Sequence, residues 1–184
     1  MLPALSQAPE LLLKAQNVAV AFFDVDGVMT DGGFYMSSEG EFLKRFHTLD
    51  GYGLQLLQRA GIVPVVVSGR DSKALRRRLD ELGIRHSHLG VDDKCGAARS
   101  TLDALGLTWE QSAVIGDDWP DLPLMQRCAF SSAPPNAHAE VIAQADYVTT
   151  RQGGHGAVRD FCDVLLMARG KYASLLKEPI RLSG

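Results

Sequence analysis

Cysteine is scarce: three in 184 residues, Cys95, Cys128 and Cys162. They are odd in number, far apart and form no C-x-x-C. That argues against a disulfide scaffold or a zinc site and fits free core thiols in a reducing compartment better. Long apolar runs are missing too. Val18 to Phe23 and Ile62 to Val67 hold six residues each, against the roughly 20 that a bilayer-crossing helix needs. Met1 to Glu10 has no basic segment leading into an apolar one, so no secretion signal is expected. Positive charge is in no surplus: 19 Lys+Arg against 22 Asp+Glu leave a net −3, which argues against a nucleic-acid partner. The expectation is a cytoplasmic protein with neither nucleic acid nor membrane as partner.

What is present fits one ordinary domain. The chain is 46% hydrophobic and 22% charged, close to the globular average, and long enough to bury a core. Buried strands are expected at Asn17–Phe23, Ile62–Val67, Ile84–Leu89 and Ser112–Ile115, with shorter ones at Ala129–Ser131 and Tyr147–Thr149. Helices are expected at Leu5–Gln16, Leu54–Arg59, Ser72–Leu82, Lys94–Leu105, Pro120–Arg127, Ala137–Ala143 and Ala157–Ala168, several of them stopped by a glycine (Gly61, Gly83, Gly106). Phe34–Met36 and Glu41–Phe46 read as the arms of a hairpin around Ser38-Glu39-Gly40. Strands alternating with helices imply an α/β fold: a Rossmann-like, three-layer domain on a central parallel sheet, with a small hairpin insertion after the first strand. The expected organisation is a single domain over residues 1–170. Beyond Gly170 the periodicity breaks down, and 171–184 reads as a tail.

In such sheets ligands bind beyond the carboxyl ends of the strands, so the residues there carry the chemical information. Strand one ends in Asp24-Val25-Asp26-Gly27. Residues two apart in extended chain face the same side, so Asp24 and Asp26 point together. The pair reads either as a magnesium site with one carboxylate as nucleophile or as a solvated acidic turn. Strand two ends in Ser68-Gly69-Arg70: a hydroxyl, an approachable backbone and a cation that suit a phosphate, or a glycine turn with a surface arginine. Lys94 opens a helix, where a cation opposes the helix dipole unless it meets carboxylates or an anion. Asp117, Asp118 and Asp121 follow the fourth strand and suit a hard cation, or else cap the next helix.

In that order, D-x-D, Ser, Lys and D-D-x-x-D resemble the haloacid dehalogenase superfamily of aspartate-nucleophile phosphatases over nearly the whole chain. Asp24-Val-Asp-Gly-Val-Met-Thr-Asp-Gly, Asp50-Gly-Tyr-Gly53, Ser68-Gly-Arg70, Gly116-Asp-Asp-Trp-Pro-Asp-Leu-Pro123 and Gly153-Gly-His-Gly-Ala-Val-Arg159 narrow the resemblance. They are similar to the capless 3-deoxy-D-manno-octulosonate 8-phosphate phosphatase family. The resemblance implies no large cap, magnesium as cofactor, a small phosphorylated sugar acid as substrate, and a homotetramer with active sites near subunit interfaces. It implies an Asp24 nucleophile, an Asp26 acid–base and a Lys94 bridge. Metal would fall to Asp24, the Asp26 carbonyl and Asp117, backed by Asp118 and Asp121. Phosphate would fall to Ser68, Gly69 and Lys94. The sugar acid would fall to Asp26, His47, Thr48, Leu49, Asp50, Gly51, Gln55, Arg70 and Arg78.

The sequence departs from that family at Phe46-His47-Thr48-Leu49, where Phe-Asn-Val-Arg is common, and at Ser68, where Thr is frequent. The tail at 171–184 is implied to be mobile and able to reach an active-site mouth. His86 and His88 alternate on a strand without a third metal ligand, and His155 reads as a turn residue. Rival readings are a phosphatase for a nine-carbon keto-sugar acid 9-phosphate, a non-catalytic interaction module and a phosphorelay receiver domain. The receiver uses similar groups, but its acidic pair precedes the phosphorylated aspartate.

Overall fold

Strand β1 (Val20–Phe23) explains the layering. Its side chains alternate between two cores: Val20 and Phe22 pack with one set of helices, Ala21 and Phe23 with the other. All four are fully buried, as a central parallel strand covered on both faces requires. The structure is a computed structural model that describes residues 6–182. After α1 (Pro9–Ala15) and β1 comes a hairpin, β2 (Tyr35–Ser37) and β3 (Gly40–Leu43). The chain continues through α2 (Thr48–Arg59), β4 (Val63–Ser68), α3 (Lys73–Leu82), β5 (His86–Leu89), α4 (Lys94–Leu105) and β6 (Ser112–Ile115). A 3₁₀ turn (Trp119–Asp121) then leads into α5 (Leu122–Met125), β7 (Phe130–Ala133), α6 (Ala139–Gln144), β8 (Tyr147–Val148), α7 (Ala157–Ala168) and α8 (Tyr172–Leu182).

The sheet order is β5-β4-β1-β6-β7-β8, and every pairing in it is parallel. The chain builds outward from β1 through β4 to β5, then crosses back to add β6, β7 and β8 on the other side. The crevice where that order reverses, beside the carboxyl end of β1, is where such folds bind ligands. On one face α2 and α7 pack over Phe23, with Phe161 edge-on to it at 5.5 Å and stacked on Phe130 at 6.1 Å. On the other, Ala98 and Leu102 of α4 and Leu124 of α5 cover Phe22, Val65 and Val114. The hairpin β2–β3 is a separate two-stranded sheet, and no large cap is present among the described residues.

The three-layer fold and most elements stand where the sequence places them; β1 starts later, at Val20, and the second hairpin arm ends earlier, at Leu43, and larger differences lie elsewhere. Helix α2 begins at Thr48 rather than Leu54. Its early turns contain Gly51 and Gly53, residues of low helix propensity. Both are buried, and a Cβ on Gly51 would overlap the Arg78 guanidinium, so close packing overrides propensity there. The helix expected at Pro120–Arg127 divides into the 3₁₀ turn and α5. Residues 172–182 form helix α8, with Leu175 buried, in place of the patternless segment the sequence suggested. The first helix starts at Pro9: residues 6–8 are not helical, and Leu5, its expected start, lies outside the described residues.

Candidate active site

Asp24 leaves β1 at the switch point. Its backbone N–H still donates to the Ile115 carbonyl at 3.1 Å, so it lies between the ends of β4 and β6. Its side chain is 8% exposed. Asp93 caps α4 by accepting the Gly96 N–H at 2.9 Å, and so starts that helix at Lys94. The Lys94 ammonium reaches Asp24 Oδ1 and Asp121 Oδ1, each at 2.6 Å. Asp121 is held in turn by its Oδ2, which accepts the backbone N–H groups of Asp117 at 3.1 Å and Asp118 at 3.4 Å.

Carboxylate oxygens of Asp24, Asp117 and Asp121 all lie within 4.8 Å of one another. Three carboxylates and one ammonium in a buried cleft leave excess negative charge with little water to screen it. Burial, together with repulsion from Asp121 and against the pull of Lys94, raises the Asp24 carboxyl to about 6. Burial and repulsion from Asp24 and Asp121 raise Asp117 to about 8. Lys94 is shifted upward despite its burial, because both carboxylates favour its charged form. Hard oxygen donors that repel one another at contact range fit a divalent cation such as magnesium, which would remove the conflict.

The turn after β1 is pinned from two directions. The buried Thr30 hydroxyl donates to the Val25 carbonyl at 3.3 Å and accepts from Gly27 N at 3.4 Å and Gly32 N at 3.3 Å. Gly27 has φ of 100°, a left-handed conformation, and its Cα faces the Asp117 carboxylate so closely that a Cβ would overlap it. The Gly153-Gly154 loop packs on the same turn: Gly154 N–H donates to the Val28 carbonyl at 3.0 Å. Asn136 joins them, accepting from Gly153 N at 2.8 Å and donating to the Gly27 carbonyl at 3.4 Å. The glycines of that loop thus serve close approach, as expected of a sharp bend, while Asn136 carries no periodic or motif signal in the sequence; Thr30 falls within the Asp24–Gly32 motif, though without an assigned role.

Asp24, Asp26, Ser68, Gly69, Arg70, Lys94, Asp117, Asp118 and Asp121 all line one cleft of about 340 Å³. Ser68 is buried, and its hydroxyl accepts the Arg70 N–H at 3.1 Å. Asp118 caps the 3₁₀ turn by accepting Trp119 N–H at 2.8 Å. The Asp26 side chain stands outside the carboxylate trio and pairs with Lys44 of the hairpin, a partner not among the expected site residues. A larger depression of about 870 Å³ lies at the opposite end of β4 and is lined by residues such as Gln58, Arg85 and His86. It holds no carboxylate cluster, and His88 nearby is occupied by the Thr101 hydroxyl at 2.7 Å.

His47, Thr48, Leu49, Asp50, Gly51, Gln55 and Arg78 do not line the cleft within one chain. The first six lie just before or along α2, and Arg78 reaches Gly51 from α3. Asp50 is buried, accepts the Arg159 N–H at 2.8 Å and so caps α7 from outside. Burial raises its pKa. Arg78 lies over the Phe46 ring at 5.9 Å and near Glu81 at 3.7 Å. His47 Nδ1 and Asp50 Oδ2 are buried without a hydrogen-bond partner among the described residues.

Comparison with known proteins matches this architecture. A haloacid dehalogenase-like hydrolase family model fits residues 87–160. The 3-deoxy-D-manno-octulosonate 8-phosphate phosphatase of Salmonella typhimurium is 41% identical over 164 residues, 89% of this chain and 87% of that protein. The crystal structure of the same-named phosphatase from Yersinia pestis superposes with a TM-score of 0.88 at 41% identity, covering 91% of this chain and 90% of the other. The Moraxella catarrhalis phosphatase, solved with a magnesium ion, a phosphate ion and a KDO molecule, gives a TM-score of 0.89 at 38% identity over 92% and 98% of the two chains.

Proposed function

The chain belongs to the 3-deoxy-D-manno-octulosonate 8-phosphate phosphatase family of haloacid dehalogenase-like hydrolases and is a phosphoric monoester hydrolase; on that premise we propose that it releases phosphate from 3-deoxy-D-manno-octulosonate 8-phosphate through an aspartyl-phosphate, in the synthesis of the lipopolysaccharide core sugar. One observation carries the reading: Asp24, Asp117, Asp121 and Lys94 converge in a cleft that Asp26 and Ser68 also line.

Asp24 attacks phosphorus, and the bond from phosphorus to the sugar oxygen breaks. Asp26 gives its proton to that departing oxygen. Water then attacks phosphorus, Asp26 takes a proton back, and the bond between phosphorus and Asp24 breaks to free phosphate. Lys94 holds Asp24 oriented and offers charge to a phosphoryl oxygen, while Ser68 and the Gly69 backbone supply further donors. Magnesium is the cofactor of the reading, held by Asp24, Asp117 and the Asp26 carbonyl with Asp121 and Asp118 behind them. When bound, it offsets the repulsion between anionic nucleophile and anionic phosphate. Arg70 at the cleft mouth suits the substrate carboxylate.

The residues from His47 to Gly51, Gln55 and Arg78 serve the sugar acid in this reading only if a neighbouring subunit completes the cleft. The hairpin supports such an assembly, here a homotetramer, by exposing Phe34, Met36, Phe42 and Leu43 beside the site. Residues 1–170 act as one catalytic domain, and 171–184 as an appended segment. Among the described residues no helix is long and apolar enough to cross a membrane, which is compatible with work in the cytoplasm.

The test is phosphate release, with magnesium, from the eight-carbon sugar acid 8-phosphate, a nine-carbon keto-sugar acid 9-phosphate and an aryl phosphate. The eight-carbon compound should give the highest kcat/KM. Preference for the nine-carbon compound would overturn the substrate assignment, and no release from any of the three would overturn the activity.

A further inference from the structure

Lys44 plays no part in the chemistry above, yet its setting is unusual for a hairpin lysine. It follows β3, on an insertion whose other side chains are largely exposed, but its own side chain is 3% exposed. Its ammonium pairs with Asp26 Oδ1 and lies 3.3 Å from Glu41 Oε2. Arg70, at the end of β4, approaches the same two acids: its Nε is 4.0 Å from Asp26 Oδ2 and its Nη2 3.8 Å from Glu41 Oε2. The Phe34 ring lies under both cations, 4.3 Å from Arg70 Cζ and 5.5 Å from Lys44 Nζ. Asp26 and Glu41 thus alternate with Lys44 and Arg70 over an aromatic floor, an arrangement that directs the Asp26 carboxyl group.

Burying an ammonium takes it from water at a substantial cost, and an apolar side chain would hold a hairpin down as well or better. What an apolar residue could not do is fix the direction of a carboxyl group. With both of its acids in place, Lys44 is also a poor receptor for a further anion. We propose that Lys44 is a positioning residue: from the hairpin it holds the Asp26 carboxyl in the orientation that serves the leaving sugar oxygen, with Glu41 steadying the lysine. This deepens the reading in which Asp24 is nucleophile and Asp26 acid–base, and it rests on that reading. The proton balance is unchanged. Asp26 gives one proton to the leaving oxygen and recovers one from the attacking water, and Lys44 keeps its own protons throughout.

The leaving group separates positioning from mere anchoring. A sugar alkoxide needs a proton as it departs; 4-nitrophenolate does not. Lys44→Met should lower kcat/KM for the sugar phosphate by about 100-fold, in the range of acid–base contributions. It should lower kcat/KM for 4-nitrophenyl phosphate by less than about tenfold, since both values report the transfer to Asp24. Lys44→Arg should recover much of the sugar-phosphate loss. Glu41→Gln, which leaves the lysine in place, should show the same selectivity more weakly and serves if Lys44→Met does not fold. Equal losses on both substrates, in whichever of these variants melts as a folded protein, would overturn the proposal. Asp26→Asn in parallel distinguishes the two failures. If it is leaving-group selective and the lysine variant is not, only the role of Lys44 falls; if it is not selective, the acid–base reading falls first.

Discussion

Asp24→Asn should leave magnesium-dependent phosphate release at least about 10⁴-fold below the unaltered chain, as expected when a nucleophile is lost. The amide matches the carboxylate in shape but brings no charge or lone pair suited to attack phosphorus. A loss of that size could also follow from misfolding, and electrostatics separates the two. Asp24 repels Asp117 and Asp121 across less than 4.8 Å, so a neutral side chain there relieves the cluster while costing one of the two Lys94 pairs. The variant should therefore melt within a few degrees of the parent in chelator, or above it. Retained turnover would refute the nucleophile assignment, and a much lower melting temperature would mean that Asp24 is chiefly structural.

Magnesium removal should abolish turnover and should also destabilise the chain in a pH-dependent way. Asp24, raised to about 6, and Asp117, raised to about 8, hold protons in the folded chain where their unfolded counterparts, near 3.8, have released them. The folded state then binds more protons than the unfolded state, so stability falls with rising pH. Their contribution is fully present below about pH 4 and lost as pH climbs through the two raised values. Magnesium replaces the missing protons. At 100 times its Kd it should add about 2.7 kcal/mol, or roughly 5 to 11 °C in melting temperature for a chain of this size. That gain should be large at pH 8 and small at pH 5, where protons already quiet the cluster. Melting scans with magnesium or chelator at the two pH values decide it. An equal shift at both, or a larger one at pH 5, would contradict the carboxylate cluster as the metal's seat.

The sequence exposes the chemistry at the strand ends better than the groups that support it. Asp24, Ser68, Lys94 and Asp117 are visible because buried strands end where apolar runs meet polar residues, and a parallel sheet gathers those ends on one edge. The αL glycines closing α3 and α4, Gly83 at φ 67° and Gly106 at φ 65°, are equally visible, since few other residues adopt that backbone. Asn136 and Lys44 are not. Each acts between distant segments, and nothing local in the sequence marks either; Thr30 lies within a visible motif, but its hydroxyl's tie to three backbone groups is seen only in the fold. Gly51 and Gly53 mislead for the converse reason: their lack of a side chain is used for helix packing, against Arg78 and Cys162. Helix α8 also escaped, because a proline at 179 interrupts its pattern.

The most direct measurement follows from separating the two chemical steps. Asp26→Asn, given 4-nitrophenyl phosphate and magnesium, keeps the nucleophile but loses the group that activates water. Acid quenching, proteolysis and mass spectrometry should then find one phosphoryl group on the peptide containing Asp24, absent when Asp24 is also changed to asparagine. Phosphate on any other residue, or turnover with no phosphorylated peptide trapped, would contradict Asp24 as the carrier of the phosphoryl group.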